Sequence, residues 1–90
     1  MTELWMFQHA VFAHWQGGIT VFGFACKAAD GIESGTWHHT RVREAWLEGD
    51  FLYFQGTDGR AYQVLSRVKA DFSDATDGYE DVMAMARGKV

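Results

Sequence analysis

Proline is absent from this chain of 90 residues, although average usage would supply about four or five. Its absence excludes a polyproline ligand and a proline-rich linker, and it removes slow prolyl isomerisation from the folding reaction. The ten glycines must therefore supply the sharp turns of the chain.

Cysteine and long apolar runs are scarce as well. Cys26 is the single cysteine, so an internal disulfide is excluded and we expect a reducing, cytoplasmic environment. No window of about 18 residues is apolar enough to predict a membrane span. The first residues also lack the pattern of a signal peptide, because Glu3 lies where positive charge is expected.

Basic residues are too few for a general affinity for nucleic acid. Eight Lys and Arg residues face twelve Asp and Glu residues, which gives a net charge of −4. Residues 71–81 hold five acids and no base, namely Asp71, Asp74, Asp77, Glu80 and Asp81. Such a run is typical of the solvated start of a helix, and the alternative interpretation is a docking surface for a basic partner.

The residues that are present predict one globular domain over residues 1–90. Hydrophobic residues make up 48% of the chain and aromatic residues 16%, a composition that excludes disorder. Residues 10–26 read as a β-hairpin around a turn at Gln16-Gly17-Gly18. Three further runs, separated by turns over residues 47–50 and 56–59, predict a three-stranded meander: Trp37–Trp46, Phe51–Gln55 and Arg60–Val68.

The period changes near the C-terminus. Apolar residues recur at helical spacing, and Thr76 or Asp77 can cap the helix that they predict: Tyr79, Val82, Met83 and Ala86. We therefore expect an α+β fold, a roughly five-stranded antiparallel sheet with one C-terminal helix packed on it. The alternative is a small half-open barrel with the helix closing one end. The expected core is Val42, Trp46, Phe54, Tyr62, Val64, Val82 and Met83.

No motif predicts catalysis, a metal or a cofactor. The four histidines lack the spacing of a zinc site, and a lone cysteine with scattered histidines more often has a buried apolar role than a nucleophilic one. Three acids near one turn, Glu44, Glu48 and Asp50, are most simply solvated turn residues. The glycines form neither GxGxxG nor GxxxxGK[ST]. We therefore expect no enzyme and no cofactor.

The first strand of the meander carries the most informative pattern. Alternation places Val42 and Trp46 on the buried face, with an outward row of Trp37, His39, Arg41 and Arg43. Tryptophan and arginine are enriched at the centres of protein interfaces, and an aromatic and basic row can also stack nucleic-acid bases. A plain polar sheet face is the remaining alternative. The negative net charge favours a protein partner and makes direct binding of nucleic acid the weaker prediction.

Residues 35–65 resemble a pattern in small uncharacterised phage and prophage proteins. The first segment reads GTWHHTRV over residues 35–42 and the second TDGRAYQVL over residues 57–65. In those proteins a Gly-Ser/Thr start leads into a strand and a Thr-x-x-Gly-x-x-Tyr-x-Leu hairpin ends the meander; here Leu65 lies one place later. The resemblance implies a phage-like setting, in which small acidic proteins often bind and block host machinery, anti-CRISPR inhibitors among them.

These observations predict a phage-type interaction protein that binds and inhibits or regulates a host protein, such as a basic nucleic-acid-binding complex. The alternative is a nucleic-acid-associated module that uses the row from Trp37 to Arg43. The predicted contact surfaces are this row and the acidic residues Asp71, Asp74, Asp77 and Asp81. Because an open sheet has free edges and the chain has a surplus of aromatic residues, a homodimer is a further expectation.

Overall fold

The computed structural model describes residues 3–68 and 78–88. Five strands and then one helix follow along the chain: β1 (Leu4–Trp15), β2 (Gly18–Lys27), β3 (Thr36–Glu48), β4 (Phe51–Gly56), β5 (Ala61–Val64) and α1 (Tyr79–Arg87). A short 3-10 helix, Ile32–Ser34, lies between β2 and β3. The predicted α+β class, with a five-stranded sheet and a C-terminal helix, is confirmed.

The sheet closes on itself as a barrel. Each strand pairs antiparallel with the next, from β1 to β5, and β5 then pairs with β1. Because the number of strands is odd, this closing pair runs parallel, with Leu4 opposite Ala61 and Phe7 opposite Val64. The division into a separate hairpin and meander is not confirmed, since β2 also pairs with β3. The alternative prediction, a half-open barrel, is nearer to this architecture than an open sheet, but the barrel is closed.

The first turn follows from its sequence. Trp15 pairs with Gly18, so Gln16 and Gly17 form a two-residue loop, and both have positive φ, 50° and 79°. This combination matches the right-handed twist of a hairpin and favours glycine at the second position. The last strand is shorter than predicted: β5 ends at Val64, and beyond it the bridge between Ala10 and Arg67 stands alone.

Two bulges change which residues point into the barrel. In β1 the register shifts between Gln8 and Val11, where His9 has a φ of 54°. In β3 it shifts between Val42 and Glu44, which makes Arg43 an extra residue. An extra residue inverts the alternation beyond it. In both strands, the residues that point into the barrel therefore switch between odd and even numbers at the bulge.

The bulge at Arg43 overturns part of the predicted core. Beyond it Ala45 is fully buried, whereas Trp46 is half-buried and stacks on Tyr53 at a centroid distance of 5.9 Å. Val42, before the bulge, is also only half-buried. Strict alternation had assigned both Val42 and Trp46 to the buried face, and for Trp46 this was wrong because the extra residue reverses the strand.

Aromatic rings fill the interior. Tyr62 contacts Phe54 and Phe7 at centroid distances of 5.0 and 5.2 Å, and Phe12 extends the cluster toward Phe54 at 6.2 Å. All four rings are buried. Of the predicted core, Phe54, Tyr62, Val64 and Val82 are buried as expected, while Met83 is partly buried against the cluster.

The helix packs against β3 and β1. It buries Val82 and Ala86, one face of the predicted apolar stripe. The Gly78 amide, at its start, donates to the Phe12 carbonyl at 2.7 Å and so links the helix to β1. The predicted caps, Thr76 and Asp77, lie outside the described residues. No helix in the described part of the chain has the length and apolar character needed to span a membrane.

Candidate functional site: an aromatic face on β2 and β3

The pairing of β2 with β3 places four rings together on one side of the barrel. Phe24 lies opposite Trp37 and Phe22 opposite His39. The rings of Phe24 and Trp37 are 4.2 Å apart between centroids, and those of Phe22 and His39 are 6.0 Å apart. Cross-strand aromatic pairs of this kind stabilise a sheet and hold its rings in place.

These rings are in contact with water. Trp37 is 70% exposed and Phe22 is 37% exposed, and Trp15, at the end of the neighbouring strand β1, is 59% exposed. The other exposed large apolar side chains come from several parts of the fold, and exposed residues of this kind are ordinary for a small protein: Leu4, Leu47, Phe51, Val68 and Met85. Trp15, Phe22, Phe24, Trp37 and His39 instead come from three adjacent strands, and we call this set the aromatic face.

Gly23 allows the aromatic face to form. It lies between Phe22 and Phe24, on the side of β2 that points into the barrel. A Cβ atom there would lie 2.6 Å from the Phe7 ring and 2.7 Å from the Gln8 carbonyl oxygen. The sequence Phe-Gly-Phe therefore presents two rings outward while the interior is filled by a side chain from β1.

One end of the aromatic face forms a shallow pocket of about 450 Å³. Its lining is mostly apolar and consists of Trp15, Gln16, Thr20, Phe22, His39 and Arg41. The Arg41 guanidinium donates a hydrogen bond to the Gln16 carbonyl at 3.3 Å, and it lies so close to Gly18 that a Cβ there would require the end of the Arg41 side chain to move. None of these six side chains is a carboxylate, although the protein carries a net charge of −4.

The predicted row from Trp37 to Arg43 is only partly a continuous surface. Trp37 and His39 are exposed and belong to the aromatic face, and Arg41 is half-buried at the pocket. Arg43 is exposed but lies in the bulge of β3. The partners of this row on β2 are Phe22 and Phe24. Because they alternate along β2 in the same way, they could be predicted to share this surface if the register of the two strands were known.

Of the four acidic residues predicted to contact a partner, only Asp81 lies in the described part of the chain. Its carboxylate, in the first turn of α1, lies 2.5 Å from the His14 Nε2 atom near the end of β1. Three of the predicted contact residues, Asp71, Asp74 and Asp77, lie outside the described residues. The role of this segment stays a prediction.

A polar cluster that the sequence did not reveal lies at the turn between β4 and β5. The Tyr62 hydroxyl donates to the Asp58 carboxylate at 2.5 Å, and the Arg60 amide donates to the other carboxylate oxygen at 3.0 Å. His38 Nε2 lies 3.0 Å from the oxygen that Tyr62 contacts. The sequence Asp58-Gly59-Arg60-Ala61-Tyr62 was the available signal, because a tyrosine four residues after an aspartate in a tight turn can reach back to its carboxylate.

The cluster shifts two titrations in opposite directions. Burial alone would raise the pKa of Asp58, but the hydrogen bonds from Tyr62, the Arg60 amide and His38 outweigh it, and the pKa is lowered. Burial, together with the Asp58 carboxylate, raises the pKa of Tyr62 well above its usual range. The ionised Asp58 carboxylate therefore accepts the hydrogen bonds that hold the β4–β5 turn together.

The remaining candidate side chains in the ranges 3–68 and 78–88 are Cys26 and the acids Glu44, Glu48 and Asp50. Cys26 is buried, and burial followed by the nearby Asp30 raises the pKa of its thiol, which disfavours the nucleophilic thiolate. No group of three His, Cys, Asp or Glu side chains in those ranges could hold a metal ion. Glu48 and Asp50 are exposed and Glu44 is half-buried.

No family model, curated protein or solved structure matches the chain. The resemblance to phage and prophage proteins therefore stays a prediction.

Proposed function

We propose that the protein is a non-catalytic interaction protein that binds another protein through the aromatic face and thereby inhibits or regulates it. The observation that carries the proposal is the exposure of Trp37 and Trp15 beside the ring pairs of the same face. Contiguous exposed apolar side chains mark interaction sites, and tryptophan is among the residues that contribute most at interface centres. The resemblance to phage proteins favours a host protein as the partner.

The closed barrel restricts how such a partner can bind. In the described part of the chain every strand pairs with two neighbours over at least part of its length, so less edge is open to an added strand from the partner than in an open sheet. Recognition through side chains is therefore favoured, and the aromatic face presents rings held by cross-strand pairing. Closure of the barrel also weakens the prediction of a homodimer, because that prediction was based in part on the free edges of an open sheet. The surplus of aromatic residues is the argument that is left for it.

A nucleic-acid-associated module is the second candidate, favoured by the two ring pairs next to Arg41. Bases stack on exposed aromatic rings, but single-strand binders add a positively charged groove along the phosphates. On β3 only Arg41 and Arg43 supply permanent positive charge near these rings. Two cations on a protein of charge −4 provide little of that electrostatic attraction, so a protein partner is favoured.

Capture from a bacterial lysate, followed by reconstitution with the purified partner, tests the proposal. Trp37→Ser and Phe22→Ser remove rings from the aromatic face, whereas Phe51→Ser removes a ring of similar exposure, 43%, from β4. We expect the first two variants to dissociate at least tenfold faster than the wild type and the third to keep wild-type kinetics. Equal effects of all three variants would contradict the proposal.

Salt dependence separates the two candidates. Binding of an oligonucleotide weakens steeply with salt, in proportion to the number of phosphates contacted. Binding of a protein through the aromatic face should change by only a few-fold between 50 and 200 mM salt, because few charges take part. A steep salt dependence with a single-stranded oligonucleotide, lost in Trp37→Ser, would transfer the function to nucleic acid.

A further inference from the structure

A buried hydroxyl group without a partner among the described residues belongs to a residue that lines the pocket at the end of the aromatic face. Thr20 lines the pocket and is only 5% exposed, and its hydroxyl finds no hydrogen-bond partner in the described part of the chain. Buried hydroxyl groups nearly always have partners, so an unpaired one needs an explanation. A ligand that completes the hydrogen bond would provide it.

A cation lies beside this hydroxyl. Arg41 is the residue opposite Thr20 across the β2–β3 pair, and both line the pocket. Its guanidinium uses one donor, to the Gln16 carbonyl, in residues 3–68 and 78–88. A guanidinium has five N–H donors, and the contact with Gln16 fixes its position while leaving others available for a carboxylate.

The walls of the pocket fit a flat ring. Trp15 and Phe22 contribute aromatic surface, and His39 adds a third ring that contacts Phe22. Apolar pockets with a few placed polar groups bind ligands whose shape and polarity match both parts. The matching ligand has a planar ring, a polar tip that reaches a hydroxyl, and a negative charge next to the ring.

We propose that this pocket anchors a tyrosine of the partner protein, flanked in the partner's sequence by Asp or Glu. The ring packs against Trp15 and Phe22, the Thr20 side chain turns so that its buried hydroxyl pairs with the phenolic hydroxyl, and the flanking carboxylate pairs with Arg41. The inference rests on the proposed function and names the segment of the partner that is recognised. A nucleotide fits less well, because each added nucleotide brings another phosphate and the pocket has one arginine.

Selection from a random heptapeptide library displayed on phage tests the inference without knowledge of the partner. The full-length protein is immobilised, and Arg41→Gln and Thr20→Val serve as counter-selections. We expect enrichment of peptides with tyrosine next to Asp or Glu on the wild type and its loss on Arg41→Gln. Enrichment of basic or purely aliphatic peptides, or of none, would overturn the inference.

The affinities of one enriched peptide, synthesised with Tyr→Phe and Asp→Asn versions, then locate each contact. We expect Arg41→Gln and the Asp→Asn peptide each to weaken binding about tenfold, and the two changes together to do little more. Thr20→Val and Tyr→Phe should be non-additive in the same way. Fully additive effects would show that the pairs are not in contact and would refute the proposed contacts.

Thr20→Val also separates a binding role from a structural one. Valine has the same shape and removes an unpaired buried hydroxyl, so we expect the variant to melt at the same temperature or higher while it binds the peptide less tightly. Thr20→Ser keeps the hydroxyl and should retain affinity. If peptide binding depends on Trp37 but not on Thr20 or Arg41, this inference fails while the proposed function stands. If single-stranded oligo(dT) binds and peptides do not, both fail.

Discussion

Replacement of Asp58 by asparagine tests what holds the β4–β5 turn closed. The carboxylate accepts hydrogen bonds from the Tyr62 hydroxyl and the Arg60 amide, and it also contacts His38. Asparagine keeps the size of the side chain, but it has no negative charge and one acceptor oxygen in place of two. One of the donors that now share the carboxylate therefore loses its acceptor.

The cost follows from burial and from charge. Hydrogen bonds to a charged group contribute about 1.5–3 kcal/mol, and neutral ones about 0.5–1.5 kcal/mol. Tyr62 is fully buried, whereas the Asp58 side chain is 25% exposed, so water compensates in part for the lost acceptor. We expect Asp58→Asn to lower the free energy of unfolding by about 2 kcal/mol, or the melting temperature by roughly 8–16 °C for a domain of this size.

The pH dependence has a defined sign. The pKa of Asp58 is lowered in the folded state, so its contribution is complete above the unfolded value of about 3.9 and is lost as pH falls through the folded pKa. The pKa of Tyr62 is raised, so its contribution is complete below the unfolded value of about 10 and is lost as pH rises through the higher folded pKa. Asp58→Asn should remove the acid-side loss that belongs to this residue.

Urea denaturation followed by circular dichroism between pH 3 and pH 7 measures both effects. Asp50→Asn, which also removes one carboxylate but from an exposed turn position, is the matched control. The reasoning is refuted if the two variants are equally stable at pH 7, or if Asp58→Asn keeps the full acid-side loss of the wild type. Tyr62→Phe completes a double-mutant cycle, in which a coupling below about 0.5 kcal/mol would show that the short contact contributes little.

Three further substitutions or reagents probe other parts of the fold. Gly23→Ala should destabilise the protein by about 1–3 kcal/mol in thermal unfolding, because its new Cβ would meet the backbone oxygen of Gln8, which cannot rotate away; a neutral variant would contradict the close approach of β1 and β2. Cys26 should resist Ellman's reagent at pH 8 in the native state and react at once in urea, since its thiol is buried with a raised pKa; rapid native labelling would contradict this. Trp46→Ala should cost less than Phe54→Ala, for which about 3–5 kcal/mol is expected, because Trp46 is half-buried and Phe54 fully buried; the reverse order in urea unfolding would contradict the outward orientation after the bulge.

Strand positions and turns were largely predictable because local chemistry determines them. Gln16-Gly17 forms the expected turn, and the helix covers Tyr79–Arg87 with Val82 and Ala86 buried. Outward exposure of Trp37 was also predictable from alternation, since it precedes the bulge in β3. Such features depend on neighbours close in sequence, which a single chain reveals.

Features that depend on register or on distant pairing were not predictable. No local signal marks Arg43 as a bulge residue, and one extra residue was enough to reverse Trp46. Closure of the barrel depends on the pairing of Leu4 with Ala61, which are far apart in sequence. The pocket combines Trp15 from β1 with Arg41 from β3, so its composition becomes visible only after both pairings are known.

Closure through β1 and β5 also governs the order in which the chain can fold. β1 obtains its second neighbour only when Ala61–Val64 have been synthesised, so during translation its edge stays unpaired for most of the length of the chain. Contacts this far apart in sequence make a small domain fold in milliseconds to seconds, well behind a helical bundle of equal size. Because the chain has no proline to add a slower phase, we expect the pairing of β1 with β5 to be the slowest step of folding.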